Sequence, residues 1–340
     1  MKNILLIGGT RNMGYKLALR LLEQGHQVTL LNRGVTKDTL PDAVHRLRAD
    51  RTDAQQMKRA LLGKFFDVVV DFVLYRAAEA ETIVQLLRDK VGQYIFISTG
   101  QVYLVRQGPQ RPYTEDEYDG RTQPEPKPNT FAHEEWRYGM DKRGAEDTLH
   151  AAYDAHQFPY TSLRLPMVNS EYDSFDRLYN YILRLQDGGT VLVPETPSYP
   201  LRHVYSGDVV TAIDTLINTG AGKGRAYNIS QDETVTIDHF LSILGEIIAV
   251  KPRIVRVKRS LLEANGFLPD CSPFSERWMS QLDNQRSKDE LGLRYTPLPQ
   301  YLAKLVAYYQ THKPKKPITY KRRNAELQFA AERAAQEQAK

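Results

Sequence analysis

The sequence predicts an α/β protein built on a doubly wound parallel sheet, with a smaller α/β domain towards the C-terminus. Three observations predict it. Apolar runs alternate with segments of helical spacing through the first 166 residues. The runs are apolar throughout, as expected of parallel strands covered on both faces. The first of them, Ile4-Leu5-Leu6-Ile7, passes straight into Gly8-Gly9-Thr10-Arg11-Asn12-Met13-Gly14. An amphipathic segment, 15–23, follows and is closed by Gly25. In this order the helix N-terminus faces the strand end, where its free N–H groups and dipole favour a phosphate.

The remaining elements follow in sequence. Residues 28–31 read as a second strand, ending at Asn32-Arg33-Gly34. Residues 67–72 (DVVVDF) and 94–98 (YIFIS) are continuous apolar strands, with helical spacing over 77–88 between them. A long helix is predicted over 132–155, then a strand over 160–165 (YTSLRL) and a late strand over 226–229 (AYNI). Residues 104–130 carry five prolines, Pro109, Pro112, Pro124, Pro126 and Pro128. So long a loop in a compact domain often covers a site. After Pro166 the alternation weakens, and 167–202 and 236–312 read as smaller inserted or appended units. Residues 313–323 form a basic, proline-containing tail expected to be solvated and partly disordered, and 324–340 an exposed helix or frayed end.

Composition narrows the class. The chain has 340 residues, 41% hydrophobic and 26% charged, an ordinary globular balance. No apolar run approaches the ~18 residues of a membrane span. One lysine followed by a core strand does not resemble a secretion signal. Cys271 is the single cysteine, so neither an intrachain disulfide nor a thiolate metal cluster can form. The eight histidines lack paired ligand spacing, and no metal site is expected. These features point to a cytoplasmic protein. The net charge of +5 and pI of about 9.0 are compatible with anionic partners such as dinucleotides, sugar phosphates or RNA.

Chemistry concentrates in two places. Tyr138 and Lys142 lie four apart on the long helix and share one face. An ammonium beside a phenol favours the phenolate and makes tyrosine a usable proton donor or acceptor. Ser98-Thr99-Gly100-Gln101-Val102-Tyr103 follows the 94–98 strand, at the end of the sheet where ligands bind. Thr99 could there hydrogen-bond a substrate oxygen handled by the tyrosine. Taken singly, each has an ordinary alternative: helix-surface residues for the pair, a strand cap for the hydroxyls.

Together these motifs resemble the short-chain dehydrogenase/reductase superfamily in its extended NAD-dependent epimerase/dehydratase branch. The resemblance runs over about residues 2–310. It is carried by GGTRNMG at 8–14, STGQVY at 98–103, YGMDK at 138–142, LRLP at 163–166, RHVYSGDVV at 202–210, AYNISQDETVT at 226–236 and DNQRSKDELGLRYTPL at 283–298. It implies a Rossmann-type dinucleotide-binding domain over 1–166 and 203–235, and a substrate-binding domain over 167–202 and 236–312. It implies Thr99, Tyr138 and Lys142 as the catalytic set, with Lys142 holding the nicotinamide ribose and lowering the tyrosine pKa. It places Gly8, Thr10, Arg11, Asn12, Met13, Gly14, Asn32, Arg33 and Asp50 at the cofactor, and Ser98, Gln101 and Arg202 at the substrate. A homodimer through the helices near 77–88 and 132–155 is implied by the same analogy.

Departures from the family pattern sharpen these expectations. Arg11 replaces the middle glycine of the usual G-x-x-G-x-x-G, which marks an atypical subgroup. Asn32 and Arg33 stand where NAD binders usually carry an acidic residue for the ribose 2′-hydroxyl. Arginines without a carboxylate suit a 2′-phosphate, so NADP is favoured over NAD. Gly100-Gln101 replaces the Asp-Glu of sugar-nucleotide dehydratases, which argues against water elimination. Arg202 matches an arginine that contacts the nucleotide diphosphate in related epimerases, whereas Met167 replaces their asparagine. The expected function is therefore an NAD(P)-dependent epimerase or reductase/dehydrogenase acting on a sugar nucleotide or related hydroxyl/keto substrate. The alternative is an RNA-binding protein of the same fold with little or no redox turnover, since some atypical relatives with this turn bind RNA. A catalytically idle scaffold or cofactor-redox sensor is a third reading.

Overall fold

The computed structural model describes residues 1–338. In chain order the elements are β1 (Asn3–Ile7), α1 (Asn12–Glu23), β2 (Gln27–Asn32), β3 (His45–Arg48), α2 (Ala54–Leu61), β4 (Phe66–Asp71), α3 (Ala77–Leu87), β5 (Val91–Thr99), α4 (Gln101–Leu104), α5 (Phe131–His156) and β6 (Tyr160–Leu165). There follow β7 (Val168–Asn169), α6 (Arg177–Gln186), β8 (Thr190–Pro194), β9 (Val204–Tyr205), α7 (Ser206–Thr219), β10 (Arg225–Asn228), α8 (Ile237–Ile248), β11 (Arg253–Val257), α9 (Arg259–Ala264), α10 (Gln285–Leu291), α11 (Leu298–His312) and α12 (Arg323–Gln338). No helix among the described residues is long and apolar enough to cross a membrane.

The chain divides into two compact units. The first comprises Met1–Val168, Val204–Ser230 and Ser280–Tyr295. It holds a seven-stranded, wholly parallel sheet in the order β10-β6-β5-β4-β1-β2-β3. The chain builds outward from β1 through β2 to β3, then returns to build the other way from β4. The switch point lies between β1 and β4, where open α/β sheets bind ligands.

The apolar strands are explained by burial on both faces. In β1, Ile4 and Leu6 join one core cluster with Leu17 and Leu21 of α1 and Ile213 of α7. Leu5 and Ile7 join the opposite cluster with Met57, Ile83 and Leu149 of α2, α3 and α5. Side chains alternate across a strand, so each layer of helices receives every second residue. β3 has no such signature. Its HRLR sequence lies at the sheet edge with no residue fully buried, and neither it nor α2 behind it was legible as an element. α2 is instead fixed by Asp53, whose carboxylate accepts from the N–H groups of Gln55 and Gln56, a standard N-cap.

The second unit comprises Asn169–His203, Gln231–Met279 and the chain from Thr296 onward. Its β8 and β11 pair in parallel. Two sequence expectations change here. Residues 280–295, placed with the substrate portion, belong to the first unit, where Tyr113 N–H donates to Gln281 C=O at 2.7 Å and Asp283 N–H to Tyr113 C=O at 2.8 Å. The basic segment is not a loose tail. Arg184 is wholly buried and donates to Glu326 of α12 at 2.6 and 3.0 Å, and Arg323 pairs with Asp187 at 2.7 Å. A charge-assisted fork of this kind fixes orientation as well as contact. Residues 339–340 of the expected terminal helix lie outside the described residues.

Candidate active site

At the switch point the first unit carries a cleft of about 560 Å³, within the usual range for small-ligand sites. The glycine turn forms its base. A Cβ on Gly14 would lie 2.3 Å from the Gly9 Cα, so only glycine lets α1 start this close to the β1 exit. Gly8 and Gly9 have φ of +81° and +83°, conformations that glycine adopts without strain. Asn12 also has positive φ, and its buried Oδ1 has no hydrogen-bond partner. Arg11, the N-cap residue of α1, caps no backbone N–H with its side chain, and the first turn carries no acid. An uncapped twelve-residue helix, a cradle too tight for a Cβ and an unsatisfied amide oxygen fit a dinucleotide diphosphate.

All nine residues expected at a cofactor, Gly8, Thr10, Arg11, Asn12, Met13, Gly14, Asn32, Arg33 and Asp50, line this one cleft. At its rim Arg33 lies 3.9 Å from Asp50, and Arg11 donates to the Thr36 hydroxyl at 3.4 Å. The Asn32 Oδ1 accepts from the Gly34 N–H at 2.9 Å and from Arg48. Asp50 is held below the ordinary carboxylate range, chiefly by hydrogen bonds from the Thr52 backbone and hydroxyl.

Thr99, at the end of β5, and Tyr138 and Lys142, on α5, come together beside this cleft. Tyr138 is hydrogen-bonded to Thr99. Burial and the nearby Tyr75 phenol nevertheless raise its pKa above the ordinary value, although the residue is 37% exposed; the Thr99 bond opposes the rise. Lys142 is almost fully buried and donates to the carbonyls of Leu74 at 2.7 Å and Ile97 at 2.9 Å. Burial depresses its pKa to about 7, with Asp71 opposing. The expected lowering of the tyrosine pKa by this lysine is therefore absent in this state. The ammonium is turned to two backbone acceptors and covered by the Tyr75 ring, 4.6 Å from its centroid.

The expected substrate residues separate. Ser98 faces the interior, where its hydroxyl donates to the buried Glu146 carboxylate, itself forked to Arg164. Strand alternation turns Ser98 away from the face that carries Thr99. Gln101 stays at the site, its amide donating to Glu135 of α5. Arg202, in the second unit, is buried and donates to the Gln231 carbonyl at 3.0 Å. A side chain at position 100 has no room, since a Cβ would lie 2.3 Å from the Ser280 Oγ. The proline-rich stretch is also partly structured: Arg143 donates to the Tyr118 carbonyl at 2.8 Å, and Glu115 and Tyr113 are buried.

A family model, the NAD dependent epimerase/dehydratase family, matches residues 4–230. That is two-thirds of the chain and contains both the cleft and the Thr99–Tyr138–Lys142 group. The chain belongs to this family.

Among curated proteins it is 38% identical over 116 residues to the chloroplast stem-loop binding protein of 41 kDa b of Arabidopsis thaliana, matching 30% of each chain. It is 27% identical over 150 residues to 2′-dehydrokanamycin reductase of Streptomyces kanamyceticus, matching 44% of this chain and 38% of that one. The chain thus spans about a third of the length of these relatives. Among solved structures, UDP-glucose 4-epimerase from Thermotoga maritima superposes with a TM-score of 0.71 at 19% identity, over 92% of this chain and 100% of that one. This shows the shared Rossmann-type fold of the epimerase/dehydratase family.

The cleft of this family member also contains residues that motif reading passed over. Arg51, Thr52, Tyr75 and Glu79 line it. Arg51 and Thr52 directly follow Asp50 and could have been found by following the strand end. Tyr75 and Glu79 carried no sequence signal, because they face the cleft only through the turn from β4 into α3.

Proposed function

We propose that this family member is an NAD(P)-dependent epimerase or reductase/dehydrogenase acting on a hydroxyl/keto substrate of the sugar-nucleotide class, with Tyr138 as acid/base. The observation that carries the reading is the Tyr138–Thr99 hydrogen bond beside a cleft whose base is an uncapped, glycine-cradled helix N-terminus. The dinucleotide would be held by the 8–14 turn, with its adenosine half towards Asn32, Arg33 and Asp50. When bound there, a nicotinamide dinucleotide supplies the hydride acceptor and donor.

The protein's own part is positioning and proton transfer. Thr99 orients the substrate oxygen and Tyr138 exchanges a proton with it. With its pKa raised, Tyr138 holds its proton at neutral pH and is set to protonate a carbonyl oxygen; acting as a base, it needs a charge brought near it on binding. A ketone returned to alcohol on its opposite face is epimerised, and one released is net oxidation. The blocked position 100 supports a site without the acid that elimination requires. Arg11 and Arg33 at the rim favour NADP, with Asp50 competing for Arg33. A homodimer through α3 and α5 is part of the same proposal.

The stretch shared with the stem-loop binding protein favours a second reading, RNA binding, to which the basic charge would contribute. Incubating the protein with UDP-glucose or UDP-galactose and each dinucleotide, and following nicotinamide absorbance and product, tests the first reading. Turnover that disappears in Tyr138→Phe supports it. A salt-sensitive RNA gel shift with no turnover and no dinucleotide binding favours the second.

A further inference from the structure

Arg51 is a charged side chain that the proposed chemistry does not use, yet it forms part of the cleft wall. It enters from the loop after β3, and only 8% of it is exposed. Its Nη2 lies 2.7 Å from the Asp71 carboxylate at the end of β4, and its Nε 3.5 Å from Glu79 of α3. Neither nitrogen has hydrogen-bond geometry to a protein acceptor. Asp71 has no exposed surface and is held from its other side by the Tyr94 hydroxyl at 2.6 Å and the Val73 N–H at 2.9 Å.

The guanidinium is therefore fixed in place from below by a carboxylate that cannot move. Burying such a pair gives little net stability over apolar residues of the same shape. A rigid cationic plane has a separate use. It stacks on the face of an aromatic base, and guanidinium does this better than a flexible ammonium. Arg51 adjoins Asp50, on the β2–β3 side of the turn and away from Tyr138, so the ring in reach is the purine.

We propose that Arg51 is a base-recognition residue of the cleft, whose guanidinium, anchored on Asp71 and Glu79, stacks on the purine of an adenine dinucleotide. The inference rests on the dinucleotide reading above and adds to it a residue and a ligand half.

The test is calorimetric binding of ADP-ribose, adenosine and nicotinamide mononucleotide to wild type, Arg51→Lys and Arg51→Leu. The lysine keeps the charge opposite Asp71 and guards against loss of fold, which the thermal midpoint monitors. The expected result is a weakening of ADP-ribose and adenosine binding by about fivefold or more in Arg51→Lys, and further in Arg51→Leu, on the scale of a cation–π contact. Nicotinamide mononucleotide affinity should not change. Unchanged adenosine and ADP-ribose affinity in a folded Arg51→Lys would overturn this inference alone. Equal losses for all three ligands would overturn it as well, since they would report a general change in the cleft. No binding of ADP-ribose or NAD(P) to wild type would overturn the dinucleotide reading together with it.

Discussion

The Tyr75 ring covers the Lys142 ammonium, with Nζ 4.6 Å from the ring centroid. The same ring lies 6.2 Å from that of Tyr138 and lines the dinucleotide cleft. Tyr75 thus connects the cleft to the acid/base pair and shuts the lysine off from solvent. Replacing it by alanine should open Lys142 to reagents. Acylation at limiting reagent, read by peptide mass spectrometry, should mark Lys142 several-fold faster in Tyr75→Ala than in wild type. Tyr75→Phe, which keeps the ring, should match wild type. Equal labelling in all three would remove Tyr75 from this role.

Lys142 also makes stability depend on pH with a definite sign. Its folded pKa is about 7, below its unfolded value of 10.5. Between those values the unfolded chain binds the extra proton, so stability rises as pH rises through this window. Below about pH 7 both states are protonated and the cost of burying the charge is fully present. Lys142→Met lacks this contribution. Wild type should therefore gain on the variant by about 2 kcal/mol between pH 7 and 9 in denaturant titrations. A constant difference would show that the ammonium is not buried as described.

Gly14 tests the cradle. With a Cβ 2.3 Å from the Gly9 Cα, Gly14→Ala must push the turn and α1 apart. A loss of about 1–3 kcal/mol of stability is expected, as for other overpacked sites. Dinucleotide affinity should fall at the same time. Gly25→Ala, where nothing lies within 4 Å but φ is +77°, should cost stability without changing affinity.

Position 100 tests the exclusion of elimination. Gly100→Asp should lower stability, because Ser280 and Leu282 fill the space, and should produce no dehydratase activity. A stable variant that released water from a sugar nucleotide would contradict the geometry.

Much of this was legible in the sequence, for identifiable reasons. The buried strands showed because both faces of the sheet are covered, which makes the runs apolar throughout. The turn at 8–14 showed because close packing demands glycine at fixed points. β3 did not, since an exposed edge strand needs no apolar pattern, and the return of 280–295 to the first unit depends on backbone pairing with Tyr113 that leaves no residue signature. The anchoring of α12 rests on Arg184 and Glu326, 142 residues apart, each of which reads locally as a surface charge. Ser98 was misplaced because adjacency to Thr99 in sequence means opposite faces in a strand. The direction of the Lys142 ammonium could be seen only in three dimensions.

The central claim is that the cleft at the switch point binds a nicotinamide dinucleotide. Calorimetric titration of the purified protein with NAD and with NADP tests it most directly. The account predicts saturable binding of at least one, at one molecule per chain, with NADP the tighter and the affinity reduced in Gly14→Ala. Absence of binding by both dinucleotides to a folded wild-type protein would contradict it.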